Sequence, residues 1–113
     1  MPPILHLTRT GPWNDAQGTG VYPVPGPDPF IHCCHPRQLA GVVERFYPAP
    51  NNDVLVLTVD PDGLRFVVER AVDVGDDFPH LYGELPVDAV TDVRPLAVAL
   101  ADAEFADDED DED

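Results

Sequence analysis

Along the chain the spacing of apolar residues switches between an alternating and a helical period, and each switch predicts a new element. In "ILHLT", residues 4–8, Leu5 and Leu7 alternate with His6 and Thr8, which predicts a strand with one apolar and one polar face. The next stretch, "TRTGPWNDAQGTG", offers Thr10 as a cap, Pro12 early, and Trp13 and Ala16 on one side before two glycines, which fits a helix of about two turns. Four prolines within residues 21–29 exclude an ordinary helix or central strand. That segment is expected to be a connector, with a lid as the alternative.

From Pro36 the period becomes helical: Leu39, Val42, Val43, Phe46 and Tyr47 form one apolar stripe. Pro36 suits the first helical position, Gln38 can close back on His35 as the cap, and Pro48 and Pro50 stop the helix. "DVLVLTVD", residues 53–60, is a nearly unbroken run of β-formers, as expected of a central strand covered on both faces. A "PDG" turn at 61–63 leads into a second strand at 64–71, a short extended piece at 78–85 and a last strand near 90–95. The order, without repeats or regular βαβ alternation, predicts an α+β fold.

Composition narrows the class. A single domain over residues 1–101 is expected, loop-rich because the chain holds 14 prolines and eight glycines. There are 22 acidic residues against six arginines and no lysine, a formal charge of −16. Nine of those acids fall in the last 12 residues, so residues 1–101 carry 13 acids against six arginines, a net of −7. Binding an extended nucleic acid needs clustered cations, which argues against such a partner. The tail over 102–113, like-charged and without apolar periodicity, is expected to be disordered and solubilising, with a basic protein partner as the alternative. No signal-peptide pattern or membrane-length apolar run is present, so a cytoplasmic protein without a membrane partner is expected, its two cysteines reduced.

Both cysteines lie in "FIHCCHP", residues 30–36, beside two of the four histidines. Strand alternation puts Phe30, His32 and Cys34 on one face and Ile31, Cys33 and His35 on the other, so the four ligand-type side chains cannot converge on one ion. No metal is expected; the alternative is His6, His32 and Cys34 meeting across strands. Cys33 is read as a small buried hydrophobe and Cys34 as the thiol on the polar face. "HLT" at 6–8, "HCC" at 32–34 and "HLY" at 80–82 share an i, i+2 pairing of histidine with a second polar or polarisable side chain. Adjacent strands would gather His6, Thr8, His32, Cys34, His80 and Tyr82 at one site. The alternative is that each histidine merely satisfies its own sheet.

The segments "ILHLT", Trp13 to Tyr22, "FIHC" followed by Gln38 and Leu39, "RFY" at 45–47, "LVLTVD" and "FPHLYGELPVDAV" at 78–90 together resemble the bacterial family called domain of unknown function 952. The resemblance covers residues 4 to about 96. It implies a small ADP-ribosyltransferase-like fold, two short, mainly antiparallel sheets around a cleft with two helices, related to the tRNA 2′-phosphotransferases. It further implies NAD as cofactor, with His6 and His32 contacting the two riboses and His80 contributing from a third strand. Thr8, Cys34 and Tyr82 would complete the cleft, and Arg37 or Arg45 would offset the repulsion between an acidic body and a pyrophosphate. The family's usual Ser and Thr after "FIHC" are replaced by Cys34 and His35, and its relatives' catalytic glutamate has Glu69 as its stand-in. NAD-dependent ADP-ribosyl transfer or NAD hydrolysis is one expectation, and a non-catalytic nucleotide- or protein-binding module on the same fold is the other.

Overall fold

The run of β-formers becomes β4 (Val54–Val59), the middle strand of an antiparallel sheet between β1 (Ile4–Arg9) and β8 (Val90–Pro95). The structure, a computed structural model, describes residues 3–102. His6 lies opposite Leu57 and Leu7 opposite Val56, while the β4–β8 register shifts at Thr58/Val59. Alternation then sorts the side chains. Leu5, Leu7, Val54 and Val56 pack on one face with Leu39 and Val43, whereas Ile4, Leu57 and Val59 pack on the other with Trp13, Ala16, Ile31 and Leu81. Burial of both faces explains why β4 lacks a polar alternation.

α1 (Thr10–Thr19) presents Trp13 and Ala16 to the core, as their spacing predicts. Its flanking residue is Arg9 rather than Thr10, and no side chain caps it. Gly20, at φ 91°, ends the helix in a left-handed turn with its N–H on the Ala16 carbonyl at 2.7 Å. The second helical region begins with a 3₁₀ turn at Pro36–Gln38, so α2 proper spans Leu39–Phe46. The Gln38 side chain does close back, accepting the His35 N–H at 2.8 Å. Its amide also donates to Asp76 Oδ2 and the Asp77 carbonyl, each at 2.8 Å, and so ties the start of α2 to the second sheet.

That sheet has the order β3 (Ile31–His32), β6 (Asp76–Leu81), β5 (Phe66–Ala71), and a further pair joins β2 (Val21–Tyr22) to β7 (Leu85–Pro86). The α+β class holds, but the expected two sheets and two helices become three and three among the described residues. Pro23, without an N–H to donate, follows β2, which is only two residues long and pairs with β7. The third helix, α3, occupies 96–102 and buries Leu96 and Ala99 beside α2. "LAVALA" is apolar almost throughout and therefore carries no helical period to read. No helix among the described residues is long and apolar enough to cross a membrane. Of the acidic tail expected over 102–113, Asp102 is the last described residue and belongs to α3, and residues 103–113 lie outside the described residues.

Candidate functional site

β1 is an edge strand of its sheet, and it meets the second sheet at one isolated bridge, Leu5 to Cys34, with both N–H···O bonds at 2.8 Å. Beside that bridge lies a cavity of about 620 Å³. Its innermost polar groups are His6, Thr8 and Tyr22, all buried. Phe30, His32, Phe78 and His80 wall it from the second sheet, and Val42, Phe46 and Tyr47 wall it from the end of α2. A concave, largely apolar cleft with a few convergent polar groups is the form small-molecule sites take.

The inner groups form one network. His6 Nδ1 donates to the main-chain carbonyl of His32 at 2.6 Å, and its Nε2 is 3.2 Å from the Tyr22 hydroxyl. The Thr8 hydroxyl lies 2.8 Å from the same Tyr22 oxygen. Burial lowers the pKa of His6 to about 4, outweighing the opposing effect of its bond to His32. The imidazole is therefore neutral near pH 7. Burial likewise raises the Tyr22 phenol above its ordinary value, with the Thr8 bond acting in the opposite direction.

A second group sits on the outer rim. Registers of β3 with β6 and β6 with β5 place His32 opposite His80, and His80 opposite Val67. His80 Nδ1 donates to Glu69 Oε1 at 2.8 Å, and the Tyr82 hydroxyl donates to the same oxygen at 2.6 Å. These bonds, Tyr82's first, hold the Glu69 carboxyl below its usual range. Phe30 stacks on His80 with ring centroids 3.9 Å apart and meets His32 edge-on at 4.8 Å. His32, well exposed, pairs with Asp28 at 2.7 Å.

His6, Thr8, His32, Cys34 and His80 all line the cavity, whereas Tyr82 and Arg45 do not. Arg45 is exposed in the last turn of α2, and Arg37 faces Asp76. Arg9 is instead the arginine on the wall, 2.6 Å from Asp53 and 5.6 Å above the Tyr47 ring. Cys33 is buried, as expected of a small hydrophobe, and Cys34, expected as the thiol on the polar face with His32, lines the cavity yet is buried too. β3 ends at His32, so alternation does not extend to Cys34, and the bridge to Leu5 draws that residue into the core among Leu5, Leu7 and Leu39. Burial pushes both thiols up to about 12. Among the described residues, no three His, Cys, Asp or Glu side chains form a group able to hold a metal, His6, His32 and Cys34 included.

Tyr22, Phe30 and Arg9 are absent from the sequence-derived site. Tyr22 is hidden by the prolines around it, although it falls within a segment that carries the family resemblance. Phe30 shares the parity of His32, and Arg9 continues the odd-numbered positions of β1.

The family described as "Protein of unknown function (DUF952)" matches residues 7–93. No curated protein matches the chain. Among solved structures, the crystal structure of protein CC0527 from Caulobacter crescentus is similar at a TM-score of 0.74 and 23% identity, covering 82% of this chain and 84% of that one. The solution NMR structure of CC0527 gives a TM-score of 0.68 at 25% identity, covering 84% of each chain.

Proposed function

The chain belongs to the DUF952 family, and on that premise we propose that its cleft binds NAD or an ADP-ribose-like ligand. The carrying observation is the combination of a cavity of about 620 Å³ with a buried, neutral hydrogen-bonding network at its base and aromatic side chains on its walls. Uncharged hydroxyl and imidazole groups suit a ribose, and the wall formed by Phe46, Tyr47 and Phe78 suits a base or a nicotinamide ring. Arg9 on the cavity wall, its charge shared with Asp53, is the cation that would meet a pyrophosphate in a cleft that also carries Asp28 and Asp73. An ADP-ribosyltransferase-like fold, with a sheet on either side of the cleft, belongs to this proposal.

Binding is better supported than turnover. Glu69, the stand-in for a catalytic carboxylate, spends one oxygen on His80 and Tyr82 at the rim and does not line the cavity. The second reading, NAD hydrolysis or ADP-ribosyl transfer, is favoured by one feature, the contact of that carboxylate with His80, which is on the cavity wall. Release of nicotinamide from NAD by the wild type, abolished in Glu69→Gln, would establish it.

Thermal unfolding with NAD, ADP-ribose, nicotinamide and zinc tests the binding reading. A nucleotide at about 100 times its Kd stabilises the native state by about 2.7 kcal/mol, so a clear rise in Tm with ADP-ribose is expected. Absence of a shift with either nucleotide would overturn the reading.

A further inference from the structure

We infer that the base of the cleft selects a ligand group that donates a hydrogen bond, accepted by Thr8 and Tyr22, and that His6 is the positioning residue that sets this polarity. The inference rests on the reading of the cleft as a nucleotide site and names the part of the ligand that the base receives. It follows from proton counting along the network.

A carbonyl oxygen only accepts, so the 2.6 Å contact between His6 Nδ1 and the His32 carbonyl requires the proton on Nδ1. A neutral imidazole then offers only a lone pair at Nε2, and the Tyr22 hydroxyl 3.2 Å away must be the donor. Tyr22 has a single hydroxyl proton, now committed, so the 2.8 Å contact with Thr8 runs from the Thr8 hydroxyl to the Tyr22 oxygen. Every proton in the chain points inward, toward His32. What remains on the cavity side is acceptor capacity: two lone pairs on Thr8 Oγ1 and one on Tyr22 Oη.

A ribose hydroxyl or a carboxamide N–H satisfies those lone pairs. A carboxylate or a phosphate cannot, and in a buried acceptor site it meets repulsion. The base therefore takes the sugar or amide part of an NAD-like ligand, and its pyrophosphate stays nearer Arg9. His6, on the cavity lining but with both ring nitrogens occupied inside the protein, offers the ligand no hydrogen bond. Its role differs from the direct ribose contact that the family resemblance implies.

Two measurements on the full chain test this. Long-range ¹H–¹⁵N NMR of the unliganded protein should find His6 protonated at Nδ1 and bare at Nε2; the opposite tautomer reverses the chain and overturns the inference. Calorimetric titration with ADP-ribose should find binding about tenfold weaker in Thr8→Val and restored in Thr8→Ser, since one hydrogen bond is lost and regained. Unchanged affinity in Thr8→Val, with the wild type binding, overturns this inference and leaves the nucleotide site standing. No binding by the wild type overturns both.

Discussion

His6 and His32 are joined by a side-chain to main-chain hydrogen bond of 2.6 Å that links β1 to β3, two strands whose ladder is otherwise limited to the Leu5–Cys34 bridge. The bond therefore helps hold the two sides of the cleft together. Its loss has a structural as well as a chemical consequence. His6→Ala leaves the His32 carbonyl and the Tyr22 hydroxyl short of a partner and opens a void, at an expected cost of about 2–4 kcal/mol. Urea unfolding measures it. A cost below about 0.5 kcal/mol would place His6 among ordinary surface positions and contradict the network.

The same residue sets a pH dependence. Its folded-state pKa is about 4 against 6.5 in the unfolded chain, so between these values the unfolded state binds a proton that the folded state does not. Its contribution is fully present above pH 6.5 and falls as the pH drops toward 4, by up to about 3 kcal/mol. Carboxylates such as Asp76, held low chiefly by Gln38, lose stability over a more acidic range. The diagnostic is thus the difference between wild type and His6→Gln: the variant should lose less stability from pH 7 to pH 4.5. Parallel pH profiles would contradict a buried neutral His6.

Gln38 is buried and serves three partners, His35 N–H, Asp76 Oδ2 and the Asp77 carbonyl. Gln38→Leu keeps most of the volume but strands those groups, with an expected loss of about 1–3 kcal/mol. Asp76, released from its first donor, should titrate at a higher pH by NMR. An unaltered Asp76 titration would mean that the contact is not formed in solution.

The two cysteines sit side by side yet face different parts of the core. With both thiols pushed up to about 12 and buried, the native protein should resist a thiol-reactive disulfide reagent at pH 8. Two thiols should react once denaturant is added. Rapid labelling of one thiol in the native state would contradict the placement of Cys34. The Cys34→Ser variant, which puts a hydroxyl into an apolar site, should lower stability by about 1–3 kcal/mol.

β4 and α2 are legible in the sequence because each has a long, one-signal pattern: uninterrupted β-formers in one and a helical stripe in the other. Trp13 and Ala16 are legible for the same reason. The stripe on α2 is also divided in a way that its period does not reveal. Leu39 and Val43 enter the core, whereas Phe46 is 62% exposed and turns toward the cavity. Two features escape because they depend on contacts distant in sequence. Tyr22 becomes part of the site only when the chain brings it against residues 14 and 16 positions earlier. Cys34 becomes core only through its backbone pairing with Leu5, a constraint that local alternation cannot contain.

An NMR titration of the uniformly ¹⁵N-labelled chain with ADP-ribose bears most directly on the nucleotide site. Saturable shifts are expected at the amides of residues 6–9, Tyr22, 30–34 and Tyr47, which surround the cavity, with little change in β8, separated from β1 by β4. Absence of saturable shifts, or shifts confined to β8, would overturn the nucleotide site.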